Sequence, residues 1–287
     1  MGTRSLPATK VIPKEMLPIV DRPLVQFAVE EASASALDRV IFVIPAENSL
    51  VSEHFRRDLN LENTLRARGK GGEADLICRL SKLADICTVT QESPLGLADA
   101  IRCARPLLAD ETFAVILPDA LIDSSLPCIR QLMDCYEKYP GCLVATQMVD
   151  PSEVERFGML DVTPVSDSWY GDRIMRVDSL TERPKPGSVS LRFGIFGRYI
   201  LEPEIFSCID ELKPGFGGEL QLTDALRSYS ERFPLYAYRF EGEHYDAGSK
   251  LGFLKATIAF ALKDARLAEG LREYLQTLEL TPATTAN

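Results

Sequence analysis

Residues 39–45 read RVIFVIP, a run of β-branched and aromatic side chains closed by a proline. A run of this kind, apolar without alternation, marks a strand buried on both faces. The chain on either side supplies the helices that would bury it. Upstream, Pro23 stands at a first helical turn, and Leu24, Phe27, Ala28 and the segment 31–36 keep helical spacing. Downstream, helical spacing over 49–57 and 61–68 and the Gly-rich GKGG of 69–72 lead to a second strand at 86–91 (ICTVTQ). A helix over 97–108, a third strand over 113–117 ending in Pro118-Asp119, a helix over 127–139 and a fourth strand over 142–148 follow. Strands alternating with helices predict an α/β fold with a doubly wound parallel sheet and right-handed crossovers.

Beyond Val149 the rhythm changes. Short strands at 157–162, 173–181 and 193–201 predict an antiparallel extension over the mouth of the sheet. Helices over 202–209 and 219–232, a strand over 235–240 and helices over 249–267 and 271–278 complete the chain. No internal repeat or low-complexity linker divides it, so one body is expected.

The 287 residues suffice for a sizeable core, and 46% apolar with 26% charged residues is ordinary globular composition. A net charge of −10 disfavours nucleic acid and anionic membrane surfaces as partners, so an anionic ligand needs a local basic site. No apolar run approaches the roughly 20 residues that cross a bilayer, and the start lacks the layout of a secretory signal; a cytoplasmic location is expected. The seven cysteines are odd in number and scattered without a CxxC, which argues against a disulfide framework and a zinc site. Only His54 and His244 are available to chemistry built on a histidine base.

The opening segment, 2–18, reads GTRSLPATKVIPKEMLP and has neither helical nor strand periodicity. Its Gly and Thr can present backbone and hydroxyl donors, and Arg4, Lys10 and Lys14 supply positive charge, a combination suited to polyphosphate. A basic N-terminal tail is the alternative, against which Pro7, Pro13 and Pro18 stiffen the path. In doubly wound sheets, ligands sit at the carboxyl ends of strands, where Gln91 and Asp119 fall. For either residue alone, a polar strand end making a turn is the favoured reading.

The blocks PATKVIPKEMLPIVDRPLVQFAVEEA, QESPLGLADAIRCARP, FAVILPD, RFGMLDV, TERPK, GRYIL, GELQLTDAL and YDAGSKLGF occur in that order between residues 2 and 262. In this order they resemble the bacterial UTP:glucose-1-phosphate uridylyltransferases. The resemblance implies a Rossmann-like, glycosyltransferase-A-type nucleotidyltransferase core with a mixed sheet, joining UTP and glucose 1-phosphate into UDP-glucose and pyrophosphate. It implies a nucleotide-binding part over 1–148, a sugar-phosphate part over 149–248 and C-terminal helices over 249–279 of one domain, with a disordered tail at 280–287. It implies that Gly2, Thr3, Arg4 and Lys14 cradle the triphosphate, that Glu15 supports the nucleoside end, and that Gln91 reads uracil with Gly96 letting the base approach. Asp119 and Asp246 would hold Mg²⁺, Gly158 and Glu182 the glucose hydroxyls, and Arg183 the sugar's phosphate. A homo-oligomer, dimer or tetramer, is expected.

Three departures qualify the resemblance. The family runs a buried strand into its glycine loop, whereas here Met1 directly precedes Gly2-Thr3-Arg4; the first central strand is missing and Met1 reads as an internal methionine. Loss of that strand should expose two strand edges. The block after PLGL reads ADA, placing Asp99 where the family has a neutral or cationic side chain, an anion expected to weaken phosphate binding unless it points away. Arg183 stands for the family's lysine and brings a planar fork in place of a point charge. A catalytically impaired paralogue serving as a regulatory or structural subunit, or the same transfer with another nucleotide or sugar, is the alternative these departures leave.

Overall fold

A computed structural model describes residues 3–45, 50–166, 170–185 and 193–278. Met1, Gly2 and the tail expected at 280–287 lie outside them. The opening segment is a structured loop, three 3₁₀ turns at Thr3–Ser5, Ala8–Lys10 and Lys14–Met16. A two-residue ladder of β1 (Pro18–Ile19) and β2 (Arg22–Pro23) then feeds α1 (Leu24–Ala34), whose first turn follows Pro23. The RVIFVI run forms β3 (Arg39–Ile44), and α2 (Leu50–Phe55), α3 (Leu59–Ala67) and α4 (Gly71–Leu80) precede β4 (Asp85–Thr90). Helix α4 corrects the expectation that GKGG marks a loop before the strand. Its first residues are Gly71 and Gly72, and Ala74 is buried, so tertiary packing overrides the poor glycine propensity.

Helix α5 (Leu97–Leu108) and β5 (Phe113–Ile116) fall where predicted. Next come β6 (Ala120–Asp123), α6 (Cys128–Tyr136), β7 (Cys142–Met148), β8 (Gly158–Pro164), β9 (Ile174–Glu182) and β10 (Phe193–Leu201). Then α7 (Ile205–Asp210), α8 (Leu222–Ser230), β11 (Leu235–Arg239), β12 (Glu243–Asp246), α9 (Lys250–Ala261) and α10 (Ala268–Thr277) complete the described chain.

The sheet is mixed, as the family resemblance implies, and not parallel as the alternation of strands and helices alone predicts. Its order is β5-β10-β7-β11-β9-β8, with β10 antiparallel to both β5 and β7, and β7 parallel to β11. Strands β3 and β4 pair in parallel as a separate two-stranded sheet. Two short strands absent from the sequence reading, β6 and β12, pair antiparallel and align Ala120 with Asp246. One face of the large sheet packs on α5, α7 and α8 through Ile101, Phe206, Leu226 and Tyr229, and the other on α6 through Cys128, Leu132 and Cys135.

Among the described residues, the edges of β3 and β5 that lie away from β4 and β10 have no strand partner. Between these strands lies a cavity of about 1120 Å³, lined by Val40, Ile41 and Val43 from β3, Ala114 and Ile116 from β5, and Ile101 from α5. All seven cysteines are free, and Cys128, Cys135, Cys142 and Cys208 are buried as small apolar side chains.

A β-bulge in β10 between Ile195 and Tyr199 coincides with the burial of Arg198, which is 2% exposed. Its guanidinium donates to both carboxylate oxygens of Glu31 at 2.8–3.1 Å and to the carbonyls of Leu117 and Gly197 at 3.0 and 3.1 Å. Glu31 also accepts from the backbone N–H of Ile129 at 3.0 Å, so the pair joins α1, β10, α6 and the loop after β5. Replacing Arg198 by Met with Glu31 retained is expected to cost about 3–5 kcal/mol in urea unfolding, because a buried carboxylate loses its counter-charge. Arg198→Met with Glu31→Leu should recover much of that loss; a single variant within about 1 kcal/mol of the parent would contradict this role.

Candidate active site

The site forms where the loop after β5 meets the turn after β12. Asp119 follows β5 by three residues, and its carbonyl accepts from the N–H of Ala247 at 2.8 Å, fastening the two segments together. Lys14, from the third 3₁₀ turn, donates from Nζ to Asp119 Oδ2 at 2.7 Å and lies 4.0 Å from Glu15. Burial acts to lower the Lys14 pKa, but the charge and hydrogen bond of Asp119 outweigh it and hold the ammonium above its ordinary value. For Asp119, burial is the largest single influence and acts upward, but the charge and hydrogen bond of Lys14, a backbone hydrogen bond and the charge of Arg4 together outweigh it, so its carboxyl lies below the usual range.

Asp246 faces the same space. Its Oδ1 accepts from the N–H of Gly248 at 3.0 Å, and its Oδ2 pairs with Arg156 and lies 3.8 Å from Arg4 Nη1. Gly248 marks the centre. A Cβ built on it would lie 2.9 Å from Arg4 Nη2, 3.0 Å from Asp119 Oδ2 and 3.1 Å from Asp246 Oδ1. Two carboxylates and the Arg4 guanidinium, from segments far apart in sequence, thus converge on one point, with Lys14 and Arg156 paired to the same carboxylates. Two hard oxygen donors beside basic side chains suit a magnesium ion shared with phosphate oxygens. Among the described residues no group of three or more His, Cys, Asp and Glu side chains could hold a metal by itself.

Gln91 directly follows β4, and its backbone N–H donates to Ile44 at 2.9 Å. Its side-chain Nε2 donates to Asp99 Oδ2 at 2.7 Å and to the Gly96 carbonyl at 3.2 Å. Asp99 is buried in the first turn of α5 and its Oδ1 accepts from Arg102 at 2.5 Å. Its two carboxylate oxygens are therefore taken up by Gln91 and Arg102. Gly96 caps α5 at φ 108°, and a Cβ there would meet the Leu220 carbonyl at 2.6 Å. The glycine is demanded by both the backbone conformation and this close packing.

A third group lies on the antiparallel strands. Gly158 and Glu182 are register partners of β8 and β9, and Glu182 Oε2 accepts from Thr223 Oγ1 at 2.5 Å. A Cβ on Gly158 would lie 3.1 Å from Thr223 Oγ1 and 3.2 Å from Glu182 Oε2. Arg183 adopts φ 42°, donates its backbone N–H to Phe157 at 3.1 Å and keeps Nε 3.3 Å from Glu182 Oε1. Thr3 lies in the first 3₁₀ turn; Gly2 is outside the described residues. His244 is wedged against Phe157 and Phe196, where burial first of all drives its pKa down to about 4, and so it is neutral near pH 7.

Arg156, Thr223 and Gly248 were not singled out by sequence reasoning. All three lie in blocks that carry the resemblance, Arg156 in RFGMLDV, Thr223 in GELQLTDAL and Gly248 in YDAGSKLGF, and Gly248 is in addition the small residue of the turn beside Asp246. Arg156 and Thr223 reach their partners only through the tertiary fold.

The Nucleotidyl transferase family model matches residues 1–261. The UTP–glucose-1-phosphate uridylyltransferase of Bacillus subtilis is 40% identical over 278 residues, covering 97% of this chain and 94% of the relative. A UDP-glucose pyrophosphorylase solved in complex with UDP-glucose superposes with a TM-score of 0.80 at 35% identity, over 91% of this chain and 95% of that one. A UTP-bound UGPase from Acinetobacter baumannii gives a TM-score of 0.85 at 29% identity, over 97% of this chain and 96% of that one.

Gly248→Ala is expected to unfold near the parent temperature yet bind magnesium–UTP about a hundredfold more weakly by calorimetry, since a methyl group would occupy the point of convergence. Unchanged affinity would contradict the geometry.

Proposed function

Because the chain belongs to the nucleotidyl transferase family, and within it to the UTP–glucose-1-phosphate uridylyltransferases, we propose that it transfers the uridylyl group of UTP to glucose 1-phosphate, giving UDP-glucose and pyrophosphate. The convergence of Asp119, Asp246 and Arg4 on Gly248, with Lys14 paired to Asp119, carries this reading. Lys14 and Arg4 neutralise the triphosphate, which Gly2 and Thr3 help to cradle, and Glu15 braces Lys14 toward the nucleoside end. Gln91 at the end of β4 takes the uracil edge, with Gly96 fixing the turn beside it. Gly158 and Glu182 face the glucose hydroxyls, and Arg183 holds the sugar's phosphate.

The attacking phosphate oxygen is already an anion, so the step needs in-line positioning and charge stabilisation rather than a general base. The neutral, aromatic-enclosed His244 is consistent with that economy. Asp119 and Asp246 are the residues that would hold Mg²⁺. When bound, this ion supplies charge neutralisation at the phosphates.

The cavity between β3 and β5 supports a glycosyltransferase-A-type core in which a further buried strand separates the two sheets. An exposed apolar row on α9, Leu251, Leu254 and Ile258, supports self-association. No described helix is long and apolar enough to cross a membrane.

Incubation with UTP, glucose 1-phosphate and Mg²⁺ should release pyrophosphate, and chelation of the metal should stop it. Asp119→Asn and Asp246→Asn are each expected to lower turnover at least about a hundredfold; near-parent rates in either would remove that residue from the metal site.

A further inference from the structure

Gln91 has a constrained amide. Its Nε2 faces two oxygens, Asp99 Oδ2 at 2.7 Å and the Gly96 carbonyl at 3.2 Å. Neither a peptide carbonyl nor an ionised carboxylate can donate, so the nitrogen rather than the oxygen of the amide must point at them. Both amide hydrogens are then committed. Among the described residues no donor engages Oε1 of Gln91.

Asp99 is itself held. It is 4% exposed, it lies in the first turn of α5 where the helix dipole favours an anion, and its second oxygen accepts from Arg102 at 2.5 Å. Arg102 and the Gln91 amide both donate to Asp99, one to each carboxylate oxygen, so Asp99 bridges them.

We infer that Asp99 is a specificity-determining positioning residue, which locks the Gln91 amide so that it offers a pyrimidine base an acceptor and no donor. This rests on the proposed reading of Gln91 as the residue that meets the base. An acceptor-only amide pairs with the N3–H of uracil. Cytosine carries a lone pair at N3, so the same oxygen would face it with repulsion, and the base is disfavoured. Without such a lock, an amide can turn over and serve either base.

Asp99→Asn tests the lock with almost no change of volume. Arg102 needs an acceptor, so it draws the Asn Oδ1 and turns Nδ2 toward Gln91, favouring the reversed amide at the expense of the Gly96 contact. The ratio of kcat/KM for UTP to that for CTP is expected to fall at least about tenfold, mainly through the two nucleotide KM values, with KM for glucose 1-phosphate unchanged. A merely structural defect would lower both nucleotides together and leave the ratio alone. Asp99→Ala, which frees the amide without supplying a new donor, should also lower the ratio and serves if the Asn variant does not fold.

Gln91→Ala is the reference arm. A collapsed ratio in Gln91→Ala together with a parental ratio in both Asp99 variants would overturn the role of Asp99 while keeping Gln91 as the base reader. A parental ratio in Gln91→Ala would overturn the reading of Gln91, and the inference with it.

Discussion

Arg198 is a cation placed where water cannot reach it, and the arrangement of the site depends on how that cost is met. A buried guanidinium is tolerated only when its donors are matched, and here Glu31 and the carbonyls of Leu117 and Gly197 match them. These partners come from α1, from the loop that carries Asp119 and from β10 itself. The pair therefore fixes how the N-terminal helix sits against the sheet, and at the same time anchors the Leu117 carbonyl two residues before Asp119. The loop is then fastened again from its other side, where the Asp119 carbonyl accepts from Ala247.

With the backbone fixed in this way, the charges at the site arrange themselves by local pairing. The protein carries a net charge of −10, yet Arg4, Lys14 and Arg156 gather beside Asp119 and Asp246. Each cation faces a carboxylate, so the cluster does not add a large positive field to an acidic surface. On the proposed reading, these cations would pair with polyphosphate oxygens, and Asp119 and Asp246 would hold a divalent ion that neutralises charge there. Such pairing keeps charges matched with and without these ligands, which limits the desolvation each state must overcome.

Much of this was legible in the sequence, and the exceptions have identifiable causes. Elements with strong periodicity or long apolar runs, such as α5, β7 and β10, emerged with bounds close to those observed. Strand direction did not, because a buried run such as FGIFGRYIL is equally apolar read as a parallel or an antiparallel strand; its pairing is decided by chain topology. Strands β6 and β12 are four residues each and carry Asp123, Glu243 and Asp246, so they lack any pattern until they meet each other across the fold. Asp119, Asp246, Gln91 and Lys14 stood out because polar residues ended apolar strands or sat in recurring blocks. Thr223 and Arg156 also lie in such blocks but were given no role, since an ordinary helix residue and an ordinary turn arginine acquire meaning only from Glu182 and Asp246 opposite them. Asp99 was visible, but its direction was not: a residue at the first turn of a helix can face the phosphate loop or the end of the preceding strand.

On the proposed reading, this geometry makes and breaks the bond between a uridylyl group and pyrophosphate oxygen. The most direct measurement runs the reaction backwards, following UDP-glucose, pyrophosphate and magnesium by ³¹P NMR after adding the protein. The diphosphate and pyrophosphate resonances are expected to fall, with the three resonances of UTP and one of glucose 1-phosphate growing in equal proportion. Unchanged spectra with a folded protein would contradict that reading.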